Sequence, residues 1–225
     1  MKIIPAILAK SYGEFESMVR KIEPYTDLVH LDIADGEFVP NKTIDGYDEL
    51  KRINTNLNFE VHLMVKNPEN IIDRWLKTKA IRYLVHWESP DSQSESRILD
   101  SAKRNRDTFR FSVLIDKIKR GGKEIGFVFN PQTDYSMMES YIDRVNLVQF
   151  MTVDPGFYGS PFLPEILEKI RNFHSQYPNK KIQVDGGINR DTIILVQKSG
   201  GSCAAVGRYI FQMSDVIKAL QELNV

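Results

Sequence analysis

Short runs of strand-forming residues alternate with helix-patterned stretches eight times along this chain, and that rhythm constrains its fold more than any other feature. The strands read as residues 2–8, 28–33, 59–64, 83–86, 124–129, 147–151, 181–184 and 203–206. They are rich in Val, Ile, Leu and Phe, as parallel strands covered on both faces should be. Between them, residues 11–22 place Phe15, Met18, Val19 and Ile22 on one helical face, and residues 161–177 do so with Phe162, Ile166, Ile170 and Phe173. Residues 191–197 and 214–223 complete the helical set. Eight strand–helix units in 225 residues fit a (β/α)8 barrel, whose usual length is about 250. Pattern alone leaves a doubly wound open sheet as the alternative.

The polar residues favour the barrel. His30, Asp32, His62, His86, Asn130, Thr152, Asp154 and Asp185 all fall at C-terminal strand ends, on strands spread along the sequence. Closure of the sheet brings those ends to one rim, where barrel enzymes build their sites. Residues 1–225 therefore read as a single domain. One segment breaks the rhythm: residues 87–123 are too long for a simple crossover helix and read as an insertion within the barrel. Its polar start (89–96) and basic middle (103–110) suit a solvated surface insertion with an extra helix, with a lid or subunit contact as the functional alternative. Residues 113–118 are apolar enough to pack on the body.

Composition excludes several classes. With 42% hydrophobic and 27% charged residues the chain is an ordinary globular protein, and thirty basic residues cancel thirty acidic ones. A chain of this length buries roughly 70% of its unfolded surface without needing staples. With that balance and no basic pole beyond 103–110, the charge argues against nucleic acid, and no apolar run approaches the roughly 20 residues of a membrane span. One cysteine, Cys203, cannot form an internal disulfide, and the start of the chain lacks the layout of a signal peptide. The expectation is a cytoplasmic protein, with Cys203 a strand thiol packed in the core.

Alternation on strand two puts His30, Asp32 and Ala34 on one face; on strand three it puts Glu60, His62 and Met64 together. Two imidazoles and two carboxylates (His30, His62, Asp32 and Asp185) suit a borderline divalent metal such as zinc, while iron, manganese and cobalt stay open. A charge facing a barrel interior is costly unless it is paired or coordinated. Met64 and Met151 read as apolar walls, and His86 as a residue behind the ligands. Asp35 reads as a turn cap. Gly186 and Gly187 after strand seven, and Gly207 and Arg208 after strand eight, suit a phosphate cradle whose amides a Cβ would otherwise screen. Gly156, Phe157, Tyr158 and Gly159 after strand six suit a closing loop.

These strings resemble the ribulose-phosphate 3-epimerase family. The resemblance rests on His-Leu-Asp-Ile-Ala-Asp-Gly-Glu-Phe-Val-Pro (30–40), Val-His-Leu-Met-Val (61–65), Asn-Pro (130–131), Met-Thr-Val-Asp-Pro-Gly-Phe-Tyr-Gly (151–159) and Val-Asp-Gly-Gly-Ile (184–188). It covers nearly the whole chain outside 87–123, and the stretch 151–170 looks especially like allulose-6-phosphate 3-epimerases. It implies a ribulose-phosphate-binding type of (β/α)8 barrel, one divalent ion on His30, Asp32, His62 and Asp185, and a phosphorylated ketose as substrate. It further implies Asp32 and Asp185 as acid and base, and a homo-oligomer. Several positions depart from the family. Pro5-Ala6-Ile7-Leu8-Ala9 stands for Pro-Ser-Ile-Leu-Ser, Ala34 for a methionine, Gln132 for a glycine, and Gly207-Arg208 for Gly-Ser. Two other readings share the fold. A phosphate-barrel decarboxylase or synthase would need an Asp-x-Lys-x-x-Asp array, which 32–35 lacks; a paralogue that binds sugar phosphate without catalysis needs no array.

Overall fold

The computed structural model describes residues 1–89, 101–155 and 159–223, with the side chains of 101–109 left aside. Eight parallel strands close into a barrel in sequence order: β1 (Lys2–Ile7), β2 (Leu28–Ala34), β3 (Asn58–Met64), β4 (Ala80–His86), β5 (Glu124–Phe129), β6 (Leu147–Met151), β7 (Lys181–Asp185) and β8 (Cys203–Val206). β1 pairs with both β2 and β8, so no sheet edge remains. The open-sheet alternative is thereby excluded.

Helices α1 (Tyr12–Ile22), α2 (Tyr47–Arg52), α3 (Pro68–Trp75), α4 (Ser101–Arg120), α5 (Ile166–Gln176), α6 (Thr192–Lys198), α7 (Arg208–Gln212) and α8 (Val216–Leu223) surround it. The connection from β5 to β6 carries a 3₁₀ helix, Tyr135–Arg144. α1 begins where Ser11 accepts the Glu14 amide at 3.2 Å, satisfying one of the orphan donors of a helix start. It then buries Phe15, Val19 and Ile22 against the barrel. Within 87–123, the apolar stretch does pack: Leu114, Ile115 and Ile118 are buried, whereas Val113 is exposed. Residues 90–100 of that segment lie outside the described residues.

One expected helix is shorter than its sequence suggests. The apolar spacing over 161–177 holds, but α5 starts only at Ile166. Pro161 and Pro164 resist helical continuation, and the Leu163 amide bonds the Thr152 carbonyl at 2.8 Å, tying this stretch to the rim. β4 also begins three residues before the expected 83, with Ala80.

Strand parity separates two cores. Val29, Leu31 and Ile33 of β2 and Phe59, Val61 and Leu63 of β3 point outward into the layer shared with the helices. The alternate residues turn inward, in register: His30 pairs with Glu60, Asp32 with His62 and Ala34 with Met64. The lower barrel is tightly filled. A Cβ on Gly126 would meet Leu84 Cδ2 at 2.7 Å and Leu147 Cδ1 at 2.9 Å, so any side chain there would have to displace both leucines.

Candidate active site

Inward parity brings His30 and Asp32 of β2, His62 of β3 and Asp185 of β7 to one centre, where their donor atoms all lie within 4.8 Å of one another. His62 Nδ1 lies 2.9 Å from Asp32 Oδ1 and 3.3 Å from Asp185 Oδ2. His30 Nε2 lies 3.2 Å and 3.6 Å from the same two oxygens. Donors around a tetrahedral zinc with bonds near 2.0–2.1 Å stand about 3.3 Å apart, so the spacing is that of a coordination shell. A further sign is that His30 Nε2 is fully buried, faces the carboxylates and has no hydrogen-bond partner. Two imidazole nitrogens and two carboxylate oxygens form a donor set for a borderline divalent ion, and these residues can hold one.

The electrostatics follow from the crowding of opposite charges. Burial opposes a charge on either histidine, yet Asp32 and the other carboxylates around them outweigh it and raise both pKa values. Asp185 is also buried, but its contacts with His30 and His62 hold it well below the ordinary carboxylate range. The cluster therefore keeps Asp185 ionised and attracts positive charge.

Above the cluster opens a cavity of about 520 Å³. Asp32 and Asp185 line it; His30 and His62 do not, and sit fully buried behind them. Met64 and Met151 form apolar walls of the same cavity. Gly159, Gly186, Gly187, Gly207 and Arg208 line it as well. Gly187 has a φ of 65°, and a Cβ there would lie 2.9 Å from Phe162 Cα, so the turn after β7 needs glycine. Gly156, Phe157 and Tyr158 lie outside the described residues. Asp35 stands apart from the centre: its carboxylate accepts the amides of Glu37 and Phe38, each at 2.8 Å, and of Lys66, also at 2.8 Å. It builds the turn after β2.

Other polar residues crowd behind the four, among them His86, which the sequence placed behind the ligands. His86 Nε2 lies 2.9 Å from His62 Nε2, and His86 Nδ1 lies 3.2 Å from Glu88 Oε2. Burial lowers the pKa of His86, with the nearby His62 adding to the effect. Behind His30, Glu60 is fully buried and bonded to Arg82, Gln183 and His30 itself. Gln183 and Gln149 stand two residues before Asp185 and Met151 on the inward face, so alternation alone could have found them.

Comparison with known proteins agrees with the geometry. Residues 2–211 match the family described as the ribulose-phosphate 3 epimerase family. A ribulose-phosphate 3-epimerase of Bacillus subtilis (strain 168) is 31% identical over 231 aligned positions, covering 100% of this chain and 98% of the relative. The cytoplasmic isoform from Oryza sativa subsp. japonica is 32% identical, covering 98% and 93%. Among solved structures, a 3-hexulose-6-phosphate synthase superposes with a TM-score of 0.69 at 18% identity, covering 99% of this chain and 98% of that one, a likeness of fold. With the sequence match running along almost all its strands and helices, the chain belongs to the ribulose-phosphate 3-epimerase family of isomerases.

Proposed function

We propose that this protein inverts C3 of a phosphorylated ketose, converting D-ribulose 5-phosphate to D-xylulose 5-phosphate or acting on a hexulose 6-phosphate such as allulose 6-phosphate. The observation that carries this reading is the placement of Asp32 and Asp185. They come from strands on different parts of the barrel, line one cavity, and share the same two histidines.

Inversion next to a ketone requires a base on one face of C3 and an acid on the other. One aspartate, ionised, takes the C3 proton; the C–H electron pair moves into the C2 carbonyl to give an enediolate. The second aspartate, protonated, returns a proton to the opposite face, and the two carboxyl groups end with exchanged states. His30, Asp32, His62 and Asp185 would hold a divalent ion, with zinc the best fit to the donors and iron, manganese or cobalt acceptable. When bound, such an ion supplies positive charge that stabilises the enediolate. The two histidines keep both carboxylates fixed, and Met64 and Met151 keep the reacting carbon dry. The phosphate would rest on the backbone of Gly186, Gly187 and Gly207, with Arg208 as its charged donor and the 156–159 loop closing over the substrate.

The decarboxylase or synthase reading calls for a lysine to protonate a carbanion, and among the described residues no lysine lines the cavity. A cytoplasmic homo-oligomer remains part of the proposal. Among the described residues no helix is long and apolar enough to cross a membrane. The test is proton NMR of pentulose and hexulose phosphates in deuterated water with added metals. Exchange at C3 with formation of the epimer and no loss of carbon supports the reading; loss of carbon, or no exchange with any of them, removes it.

A further inference from the structure

Two carboxylates outside the four-residue cluster stand behind its histidines: the fully buried Glu60 behind His30, and the partly exposed Glu88 behind His62 by way of His86. Glu60 has no exposed surface. Its Oε2 accepts from Arg82 Nη1 at 2.6 Å, and its Oε1 accepts from Gln183 Nε2 at 2.6 Å. Arg82 is itself braced by Glu124 at 2.7 Å. A carboxylate paired with a guanidinium can only accept hydrogen bonds. His30 Nδ1, 2.7 Å from Glu60 Oε1, must therefore carry the proton. In the neutral imidazole that an ion would require, the lone pair is then on Nε2, the same atom that is buried without a partner at the centre.

The second histidine is governed through an intermediary. Glu88 accepts the Asn130 amide on Oε1 at 2.9 Å, and its Oε2 lies 3.2 Å from His86 Nδ1. His86 Nδ1 then bears a proton, and its Nε2 is an acceptor. That acceptor lies 2.9 Å from His62 Nε2, which must donate. In the neutral, ion-binding form the lone pair of His62 consequently falls on Nδ1, the atom turned to Asp32 and Asp185.

We propose that Glu60 and Glu88 are positioning residues that fix the two liganding histidines in opposite tautomers, so that His30 offers Nε2 and His62 offers Nδ1 to one divalent ion. This rests on the metal-centre reading above. Outer partners of this kind orient metal-binding imidazoles and raise their basicity. The two relays are unequal: His30 faces a full negative charge directly, while His62 reaches Glu88 through a neutral ring. Glu60 therefore contributes more to metal affinity than Glu88 does.

Two measurements on the purified full-length protein test this. In the zinc-loaded wild type, long-range proton–nitrogen correlation of the imidazoles should show protons on His30 Nδ1, His62 Nε2 and His86 Nδ1. In zinc titrations of the metal-free protein against a chelating indicator, Glu60→Gln should raise the zinc Kd about 10–100-fold, and Glu88→Gln less than tenfold. The wild-type spectrum and Glu88→Gln keep the proposal testable should Glu60→Gln fail to fold. A proton on His62 Nδ1 in the loaded wild type, or an unchanged zinc Kd in the variants, overturns it. Failure of the wild type to bind zinc, iron, manganese or cobalt at all overturns it together with the metal-centre reading.

Discussion

The side chain of Arg208 fills the space in which a side chain on Gly159 would stand. Its Nη1 donates to the Gly159 carbonyl at 3.3 Å, and a Cβ on Gly159 would lie 2.9 Å from its Cζ. Gly159 also has a φ of 84°, which L side chains rarely adopt. Gly159, after β6, and Arg208, at the start of α7, thus meet in the lining of the cavity.

Arg208→Ala should raise KM for phosphorylated ketoses about 10–100-fold while leaving kcat within a small factor. A charge-assisted hydrogen bond is worth about 1.5–3 kcal/mol, and it is made far from C3. Gly159→Ala should act in the same direction by displacing the guanidinium. Steady-state kinetics check both; an unchanged KM in Arg208→Ala places Arg208 outside phosphate binding.

Asp185→Asn keeps the shape of the side chain and removes its basicity. Epimerisation should fall by at least about 10²–10⁴-fold, the usual contribution of a positioned acid or base, with the far-ultraviolet circular dichroism unchanged. Near-normal turnover in this variant would take Asp185 out of proton transfer.

Removal of metal by a chelator should abolish turnover and lower the melting temperature. An ion at a thousand times its Kd stabilises the folded state by about 4 kcal/mol, which for a domain of this size corresponds to roughly 10 °C. Calorimetry with and without chelator reads the shift, and restoring zinc should reverse it.

Tyr83 gives a prediction about alkali. Burial pushes its hydroxyl up from about 10 to about 12, and that hydroxyl donates to the Trp75 carbonyl at 2.5 Å. The folded state favours the neutral phenol, so this stabilisation is complete below pH 10 and is lost as pH rises from 10 toward 12. The loss amounts to about 2–3 kcal/mol. Urea unfolding between pH 9 and 12 should show a shallower decline in Tyr83→Phe than in the wild type.

Much of the site could be read from the residues themselves. His30, Asp32, His62 and Asp185 stand out because each lies at the end of an apolar run, and strand parity then gives them a common inward face. Glu60 shares that parity, but its meaning depends on Arg82, its register partner on the adjacent β4, and on Gln183, which reaches it across the barrel interior. No local pattern carries such a contact. The overlong helix at 161–177 has a different origin: periodicity registers which face is apolar, and it is blind to the rim hydrogen bond that holds Leu163 in place. Likewise, the length of 87–123 suggests an extra helix, whereas among the described residues a single 20-residue α4 takes up most of that stretch.

Three of the four candidate ligands sit on β2 and β3, adjacent strands laid down early, while Asp185 is supplied by β7, more than half the chain later. The coordination shell is therefore complete only after the last strands have joined the first. A nascent or truncated chain ending before β7 would offer an incomplete grip to any ion, so tight metal loading becomes a checkpoint that a finished fold alone can pass.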